Sequence, residues 1–142
     1  MLGSYKQIDH TADIAFEVSG ESLEELFKAS SKAWLTSVVD VTIFSQSENK
    51  KIELNSFSIE QLLVDFLSEL NFNLFTKKWL CYSVDDLSIE KKEDVWSLIA
   101  TLTGNNISPE IHLKHEIKAI TFHQMNIKKS GKDFSTLLVF DI

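Results

Sequence analysis

Hydrophobic residues recur every three or four positions in two segments of the chain, and this spacing keeps them on one face of an α-helix. The spacing predicts one helix over 22–37 and a second helix over 58–74. Each predicted start carries a serine followed three residues later by Glu or Gln, which is the capping-box spacing: Ser22 with Glu25, and Ser58 with Gln61. Two amphipathic helices are therefore the first expected elements of the fold.

The remaining segments are rich in β-branched and aromatic residues, which favour strands. Ile14, Phe16 and Val18 alternate with small or charged residues, as in a half-buried strand. Such patterns predict strands over 5–9, 13–19, 79–90, 95–103, 111–128 and 134–141, with short strand pieces between 40 and 55, of which 51–54 is the better defined. Turns are predicted at Gly20, at Gly104-Asn105-Asn106 and at Ser130-Gly131.

The order of these elements indicates the fold class. Strands precede each helix, and only strands follow the second helix, a grouping typical of an α+β fold with a mostly antiparallel sheet and two main amphipathic helices. The 142 residues are enough for one domain with its own core, and no linker, repeat or low-complexity segment divides them. We therefore expect a single domain over 1–142.

The charge and composition of the chain narrow the functional classes open to it. There are 14 basic and 21 acidic residues, a formal charge of -7, and every basic residue is a lysine. Arginine is the side chain that forks onto phosphates and base edges, so strong direct binding to nucleic acid is not expected. A content of 44% hydrophobic and 11% aromatic residues also argues against intrinsic disorder.

The single cysteine and the N-terminal residues bear on the cellular compartment. Cys81 lies in an apolar run and has no second cysteine to pair with, which fits a small core residue in a reducing cytoplasm. The first residues lack the charged start and apolar stretch of a signal peptide, and no apolar run is long enough for a membrane span. We expect a cytoplasmic protein without a membrane partner.

Histidines and short motifs give little support for the common catalytic sites. His112, His115 and His123 crowd one segment, but on a strand His112 would point away from the other two. A zinc site needs three or four converging ligands, so surface or hydrogen-bonding histidines are the stronger interpretation. The sequence also lacks a GxSxG nucleophile motif and the glycine-rich motifs that bind phosphate.

Aspartates at strand ends are the more promising chemical groups. Asp9 and Asp13 flank a short link between two predicted strands, and Asp141 ends the last apolar strand beside the carboxylate of Ile142. If a third carboxylate met the two at the end of that strand, the oxygen-rich site would suit a hard cation such as calcium, magnesium or manganese. The alternative is that these aspartates are solvated or cap turns.

Several sequence blocks, in order along the chain, resemble those of the archease family. The blocks are Asp9-His10-Thr11-Ala12-Asp13, the helix start Ser22-Leu23-Glu24-Glu25-Leu26-Phe27, the helical segment 62–70, then Glu116-Ile117-Lys118-Ala119-Ile120-Thr121-Phe122-His123, and the closing Phe140-Asp141-Ile142. Any single block is a weak signal. Their combination is specific, and it extends the resemblance over essentially the whole chain.

The resemblance implies a function as well as an archease-like fold. Archeases are protein cofactors of the RtcB-type RNA ligase of tRNA splicing and RNA repair. They promote guanylylation of the ligase and sustain multiple turnovers, and they are not enzymes themselves. By this resemblance, the metal site of the family maps onto Asp13, Asp141 and the carboxylate of Ile142. The expected cofactor is a divalent metal ion, with calcium as the first choice and magnesium or manganese as alternatives.

Two other functions stay open on the sequence. A stand-alone metal-dependent hydrolase would use Asp13 and Asp141 to activate water, but no general base is identifiable beside them. A chaperone-like interaction module would need a large exposed apolar patch, which a sequence does not reveal.

Overall fold

The structure is a computed structural model that describes residues 3–8, 13–40 and 46–142. The described residues form two helices and eight strands: β1 (Ser4–Ile8), β2 (Asp13–Gly20), α1 (Leu23–Val38), β3 (Glu48–Ser56), α2 (Ile59–Phe75), β4 (Trp79–Lys92), β5 (Val95–Asn106), β6 (Ala119–Thr121), β7 (Lys128–Ser130) and β8 (Asp133–Asp141). Every pair of these strands that hydrogen-bonds is antiparallel. The predicted α+β class with mostly antiparallel sheets is therefore confirmed.

The strands form two separate sheets with the helices between them. The first sheet has the order β1-β2-β8-β6, and β7 pairs with the start of β8 on the side where β6 pairs with its end. The second sheet has the order β3-β5-β4, in which β4 and β5 make a long hairpin. Both helices contact strands of both sheets as well as each other. The helices therefore form the middle layer of the described fold.

The hydrophobic core fills the spaces on both sides of this helical layer. The largest fully buried side chains come from helices and from both sheets: Trp34, Trp79, Phe16, Phe27, Phe66 and Phe140. The helical stripes of the sequence predict Trp34 and Phe66 as core residues, and both are confirmed. A helix that meets a sheet on two sides must be apolar around much of its circumference, which explains why eight residues of α2 are buried.

The helix starts follow the predicted caps. The Glu25 amide donates to Ser22 Oγ at 3.1 Å, and the Gln61 amide donates to Ser58 Oγ at 3.0 Å. Each contact satisfies a backbone donor that the first helical turn leaves without a partner. Both predicted helices are confirmed to within one residue at each end. Neither helix is long and apolar enough to cross a membrane, a finding that covers only the described residues.

The end of α1 is stabilised by a residue far away in sequence. The last turn of α1 contains no basic residue of its own. Lys114 supplies the missing charge: its Nζ donates to the Thr36 carbonyl at 3.0 Å and lies 3.3 Å from Asp40 Oδ1. The Lys114 amide also donates to the Val38 carbonyl at 2.8 Å. A cation at the negative end of the helix dipole is favourable, so this contact holds the segment around Lys114 against the end of α1.

The predicted strand over 111–128 is wrong for most of its length. Only β6 and β7 are strands in and near this range, and the segment before β6 crosses the end of α1 as irregular chain. Leu113 forms an isolated bridge with Val39, and Ile117 is buried. Exposed and less exposed residues do alternate from Ile111 to Ile117, but no described strand pairs with the segment between β5 and β6.

The predicted turn at Gly104-Asn105-Asn106 is also wrong, because β5 continues through it to Asn106. Gly104 pairs with Cys81 in β4, where the register shifts between Cys81 and Ser83. A Cβ atom at Gly104 would overlap the carbonyl oxygen of Leu80 and approach the Trp79 ring to 2.9 Å. Glycine at this position therefore permits close backbone approach inside a strand, not a turn.

Other boundaries need smaller corrections. Gly20 is the last residue of β2 and not a separate turn. The short strand pieces expected between 40 and 55 form one strand, β3, in the part of this range that the structure describes. Residues 41–45 lie outside the described chain. The predicted turn at Ser130-Gly131 is confirmed, since Ser130 pairs with Asp133 and Gly131 has a φ of 62°. The turn between β7 and β8 thus has glycine at the position whose backbone is left-handed, a conformation that glycine adopts without steric cost.

Replacing Gly104 by alanine tests the close approach of β4 and β5. We expect Gly104→Ala to lower the free energy of unfolding by about 2–3 kcal/mol, because the added methyl group must displace backbone. Gly131→Ala is the matched control: nothing lies within 4 Å of a Cβ there, so only the φ of 62° opposes the change. Its expected cost is about 1 kcal/mol. Urea unfolding measures both values, and an equal cost would contradict the proposed overlap.

Candidate functional site

Three strands of the first sheet bring one row of residues together at their ends. Asp13 at the start of β2 is the direct partner of Asp141 at the end of β8, and Asp141 is also the direct partner of Ala119 in β6. Directly opposed residues of an antiparallel pair point to the same face, with Cβ atoms about 4.5–5.5 Å apart. The two aspartates singled out from the sequence are therefore neighbours on one face of the sheet.

The face that carries this acid row, Asp13 and Asp141, is the one turned away from the helices. Ile14, Phe16 and Val18 point into the core, and the residues between them point the other way because side chains alternate along a strand. Asp13 is half-buried and Asp141 is exposed. The carboxylates therefore lie at an accessible end of the sheet.

A chain of hydrogen bonds connects the acid row to the core. Trp34 Nε1 donates to Asn71 Oδ1 at 3.0 Å, and Asn71 Nδ2 donates to the Ile117 carbonyl at 2.8 Å. The next residue, Lys118, donates its amide to the Asp141 carbonyl at 2.7 Å. Side chains from α1 and α2 thus fix the segment that leads into β6, and this segment holds the end of β8.

Two carboxylates in directly opposed positions have an electrostatic consequence. Like charges facing each other across a strand pair destabilise a sheet, so the juxtaposition has a cost in free energy. A cation held by Asp13 and Asp141 would remove that repulsion, and carboxylate oxygens are the ligands that hard divalent cations prefer. The donor set therefore fits a hard cation.

The other predicted site residues are only partly covered by the structure. Asp9 lies outside the described residues. Ile142 follows Asp141 directly and has 36% of its surface exposed. Within the described ranges, no three His, Cys, Asp or Glu side chains are grouped so that they could hold a metal ion. Asp13 and Asp141 are thus the two candidate side-chain ligands that the described residues place together.

The three histidines of the segment 112–123 do not lie on a strand and do not form a common metal site. His112 and His123 are exposed, His115 is half-buried, and all three lie in irregular chain outside β6 and β7. The interpretation of these residues as surface or hydrogen-bonding histidines agrees with these positions. Lys118 is exposed, and its backbone amide donates to the Asp141 carbonyl of the acid row.

Cys81 is a core residue, as its apolar surroundings predict. Its thiol is buried and donates to the Ser83 carbonyl at 3.3 Å. Burial raises the pKa of Cys81 to about 12, from an ordinary value of 9.0. The folded state therefore favours the protonated thiol. The stability that the protonated thiol contributes is complete below about pH 9 and is lost as the pH rises towards 12.

Sequence reasoning missed Asn71, whose side chain links α1, α2 and the segment before β6. No local signal was available, because Asn71 lies among the other polar residues Ser68, Glu69 and Asn73 of α2. Its partners, Trp34 and Ile117, are 37 and 46 residues away in sequence. The partners could not be identified without the fold.

The fold and the acid row together define a class: a small α+β protein with helices between two antiparallel sheets and paired carboxylates at an accessible sheet end. Residues 5–142 match the model of the Archease protein family (MTH1598/TM1083). The chain belongs to the archease family.

Individual relatives agree with this assignment. The chain is 32% identical over 139 residues to "Protein archease" of Methanosarcina mazei, covering 97% of the chain and 95% of the relative. It is 36% identical over 126 residues to "Protein archease" of Pyrococcus abyssi, covering 88% of each.

Two solved structures share the fold. The solution structure of Methanobacterium thermoautotrophicum protein 1598 matches with a TM-score of 0.82 and 27% identity, over 98% of this chain and 99% of that one. The crystal structure of an archease from Thermotoga maritima, named there as a possible chaperone, matches with a TM-score of 0.66 and 26% identity, over 96% of each chain.

The contact between Trp34 and Asn71 can be tested by a double-mutant cycle. Asn71→Ala should lower the free energy of unfolding by about 2 kcal/mol, because it leaves the Trp34 indole N–H buried without its acceptor. In a Trp34→Phe background the same substitution should cost about 1 kcal/mol less, since the donor is already gone. Urea unfolding of the four proteins gives the coupling. An equal cost in both backgrounds would show that the contact contributes nothing.

The raised pKa of Cys81 predicts an inert thiol. At pH 8 we expect iodoacetamide to alkylate Cys81 at least about a hundredfold more slowly in the folded protein than in urea, because thiolate is scarce and the side chain is buried. Mass spectrometry of timed samples measures the two rates. Rapid labelling of the folded chain would contradict the burial of this residue.

Proposed function

We propose that the chain is the protein activator of an RtcB-type RNA ligase, promoting guanylylation of the ligase and its multiple turnover. The observation that carries the proposal is the direct pairing of Asp13 with Asp141 at an accessible sheet end. Membership of the archease family supports the same assignment. The proposal includes a cytoplasmic setting, where a lone cysteine such as Cys81 stays reduced.

The proposed cofactor is one divalent cation, calcium first and magnesium or manganese as alternatives. Asp13, Asp141 and the main-chain carboxylate of Ile142 would hold it. Calcium takes six to eight oxygen ligands, so three carboxylates leave positions for water or for oxygen atoms of a partner. When bound, a divalent cation would offset two of the three negative charges, so the sheet end would stay acidic.

The proposed role of the chain's own residues is positioning. The hydrogen bonds from Asn71 to Ile117 and from Lys118 to Asp141 hold the acid row at a fixed place on the sheet. A rigid acidic end can dock beside a basic, nucleotide-binding cleft and favour one arrangement of that cleft. Guanylyl transfer depends mainly on positioning and on charge stabilisation, so a partner that fixes these is sufficient to raise the rate.

A chaperone-like activity is the second candidate, and two observations favour it. The Thermotoga maritima relative is named as a possible chaperone. Phe57, Phe72 and Phe122 are exposed by 84%, 46% and 48%, and exposed aromatic side chains are the groups with which such a module would bind unfolded chains. The proposed ligase activation is nevertheless the better supported function, because the acid row has no role in binding apolar segments.

Removing one carboxylate at a time tests the proposed site. We expect Asp13→Asn and Asp141→Asn to reduce stimulation of the cognate ligase at least about a hundredfold, because each removes a charge from the docking end. The measurement is ligase guanylylation with GTP and manganese, followed over several turnovers. Asp133→Asn is the matched control, since Asp133 is exposed at the opposite end of the same strand, β8.

Calcium-dependent melting gives a second readout for the same variants. At a calcium concentration 100-fold above the dissociation constant, binding should stabilise the wild-type chain by about 2.7 kcal/mol. The stabilisation should disappear in Asp13→Asn and Asp141→Asn and persist in Asp133→Asn. Full ligase stimulation by both site variants would overturn the proposed function, and suppression of aggregation by all of them would favour the chaperone-like alternative.

A further inference from the structure

A cavity of about 230 Å³ lies between α1 and β4. Its apolar lining consists of Leu35, Leu70, Cys81 and Val84. Leu70 and Cys81 have exposed fractions of only 0% and 3%, so they form the floor of the cavity. An engineered apolar cavity of about 150 Å³ binds benzene, so this cavity has room for an aromatic ring with a short arm.

Two lysines of α1 stand at the mouth of this cavity. Lys28 and Lys32 line it together with Ser31 and Leu35, and spacings of three and four residues place all of them on one face of the helix. Lys28 is half-buried and Lys32 is exposed, whereas the floor is fully buried. The cavity therefore combines an apolar floor with a positively charged mouth.

The two lysines have no acidic partner within the described chain, because the ion pairs found there involve other residues. Glu24 precedes Lys28 by four positions, the spacing of a helical ion pair, but its Oε2 accepts the Ile89 amide at 3.2 Å. Lys28 and Lys32 are themselves four positions apart, and like charges at this spacing destabilise a helix. A bound anion would remove that repulsion.

The wall that β4 provides has an irregular backbone beside these lysines. The register of β4 with β5 shifts between Cys81 and Ser83, so Tyr82 is an extra residue in the strand, and it lines the cavity. Such bulges redirect side chains and are common next to binding sites. Asp85, the next acidic residue of β4, accepts hydrogen bonds from Ser83 at 3.3 Å and from Thr103 at 2.7 Å. Its carboxylate is therefore engaged with side chains of the second sheet.

We propose that this cavity binds a small organic anion, with the negatively charged head at Lys28 and Lys32 and the apolar body on Leu70 and Cys81. The inference does not depend on the proposed function. The acid row belongs to the first sheet, whereas the cavity lies against β4 of the second sheet.

Charge and size together select this class of ligand. A neutral apolar molecule could fill the floor, but it would leave the repulsion between Lys28 and Lys32 in place. Cavities that hold drug-sized ligands usually have volumes of about 300–1,000 Å³, and this one is smaller. The ligand must therefore be small, with an apolar body about the size of one aromatic ring.

The experiment uses 3-phenylpropionate as the probe and 3-phenylpropan-1-ol as its uncharged counterpart. Amide chemical shifts of the ¹⁵N-labelled full chain give both the affinity and the location of each compound. We expect the carboxylate to bind with a dissociation constant of about 1 mM or less, with shifts at the amides of residues 81–84. The alcohol should bind at least about tenfold more weakly at low ionic strength, because it lacks the charge that meets the lysines.

Two variants test the role of the lysines. The double substitution Lys28→Gln and Lys32→Gln should weaken binding of the carboxylate at least about tenfold and leave binding of the alcohol unchanged. It removes a like-charge pair, so it should not destabilise the fold. Lys92→Gln is the matched control, since Lys92 is exposed at the far end of β4 and does not line the cavity, and it should bind as the wild type does.

The inference is wrong if the wild-type chain shows no saturable shifts with 3-phenylpropionate. Equal affinity for the carboxylate and the alcohol, or wild-type affinity in the double lysine variant, would show that Lys28 and Lys32 are ordinary solvated side chains. Shifts centred away from α1 and β4 would assign the probe to a different surface and reject the cavity as its site.

Discussion

The antiparallel pairing of β2 with β8 is the constraint on which the first sheet and the candidate site both depend. It runs without interruption from Asp13 and Asp141 at one end to Gly20 and Phe134 at the other. A slip of one residue would turn Phe16, Leu138 and Phe140 out of the core, so burial of these side chains fixes the register. Because the register is fixed, the two aspartates must face each other, whatever that costs in repulsion.

Hydrogen bonds between the two helices and the segment before β6 fix the positions of these elements relative to one another. Trp34 is fully buried in α1, and its indole N–H is satisfied by Asn71 of α2, whose amide in turn holds the Ile117 carbonyl. A buried polar group must find a partner, so the positions of the two helices and of the segment before β6 are coupled. The same segment also donates the Lys118 amide hydrogen bond to the Asp141 carbonyl at the end of β8.

Local signals were sufficient for the helices and insufficient for the pairing of strands. Ser22 and Ser58 predicted both helix starts because a cap depends on residues a few positions apart. The predictions failed at 111–128 and at Gly104, where the conformation depends on chain distant in sequence. For the site, Asp13 and Asp141 were predicted because each lies at the end of a strand. Their direct pairing joins residues 128 positions apart, so it follows only from the register of β2 and β8 in the structure. Asn71 was missed for the same reason: its two partners are distant in sequence and meet it only in the tertiary fold.

The position of the acid row changes the interpretation of the chain's negative charge. Fourteen lysines and no arginine argue against a protein that grips RNA by itself. A directly opposed pair of carboxylates at an accessible sheet end is, however, suited to a positively charged partner, and the proposed ligase must itself be basic to hold RNA and GTP. Under the proposed function, acidity and involvement in RNA ligation are compatible, because the ligase binds the nucleic acid and this chain binds the ligase. The pairing of β2 with β8 sets the positions of Asp13 and Asp141, and groups whose positions are already fixed lose little conformational entropy when a partner binds.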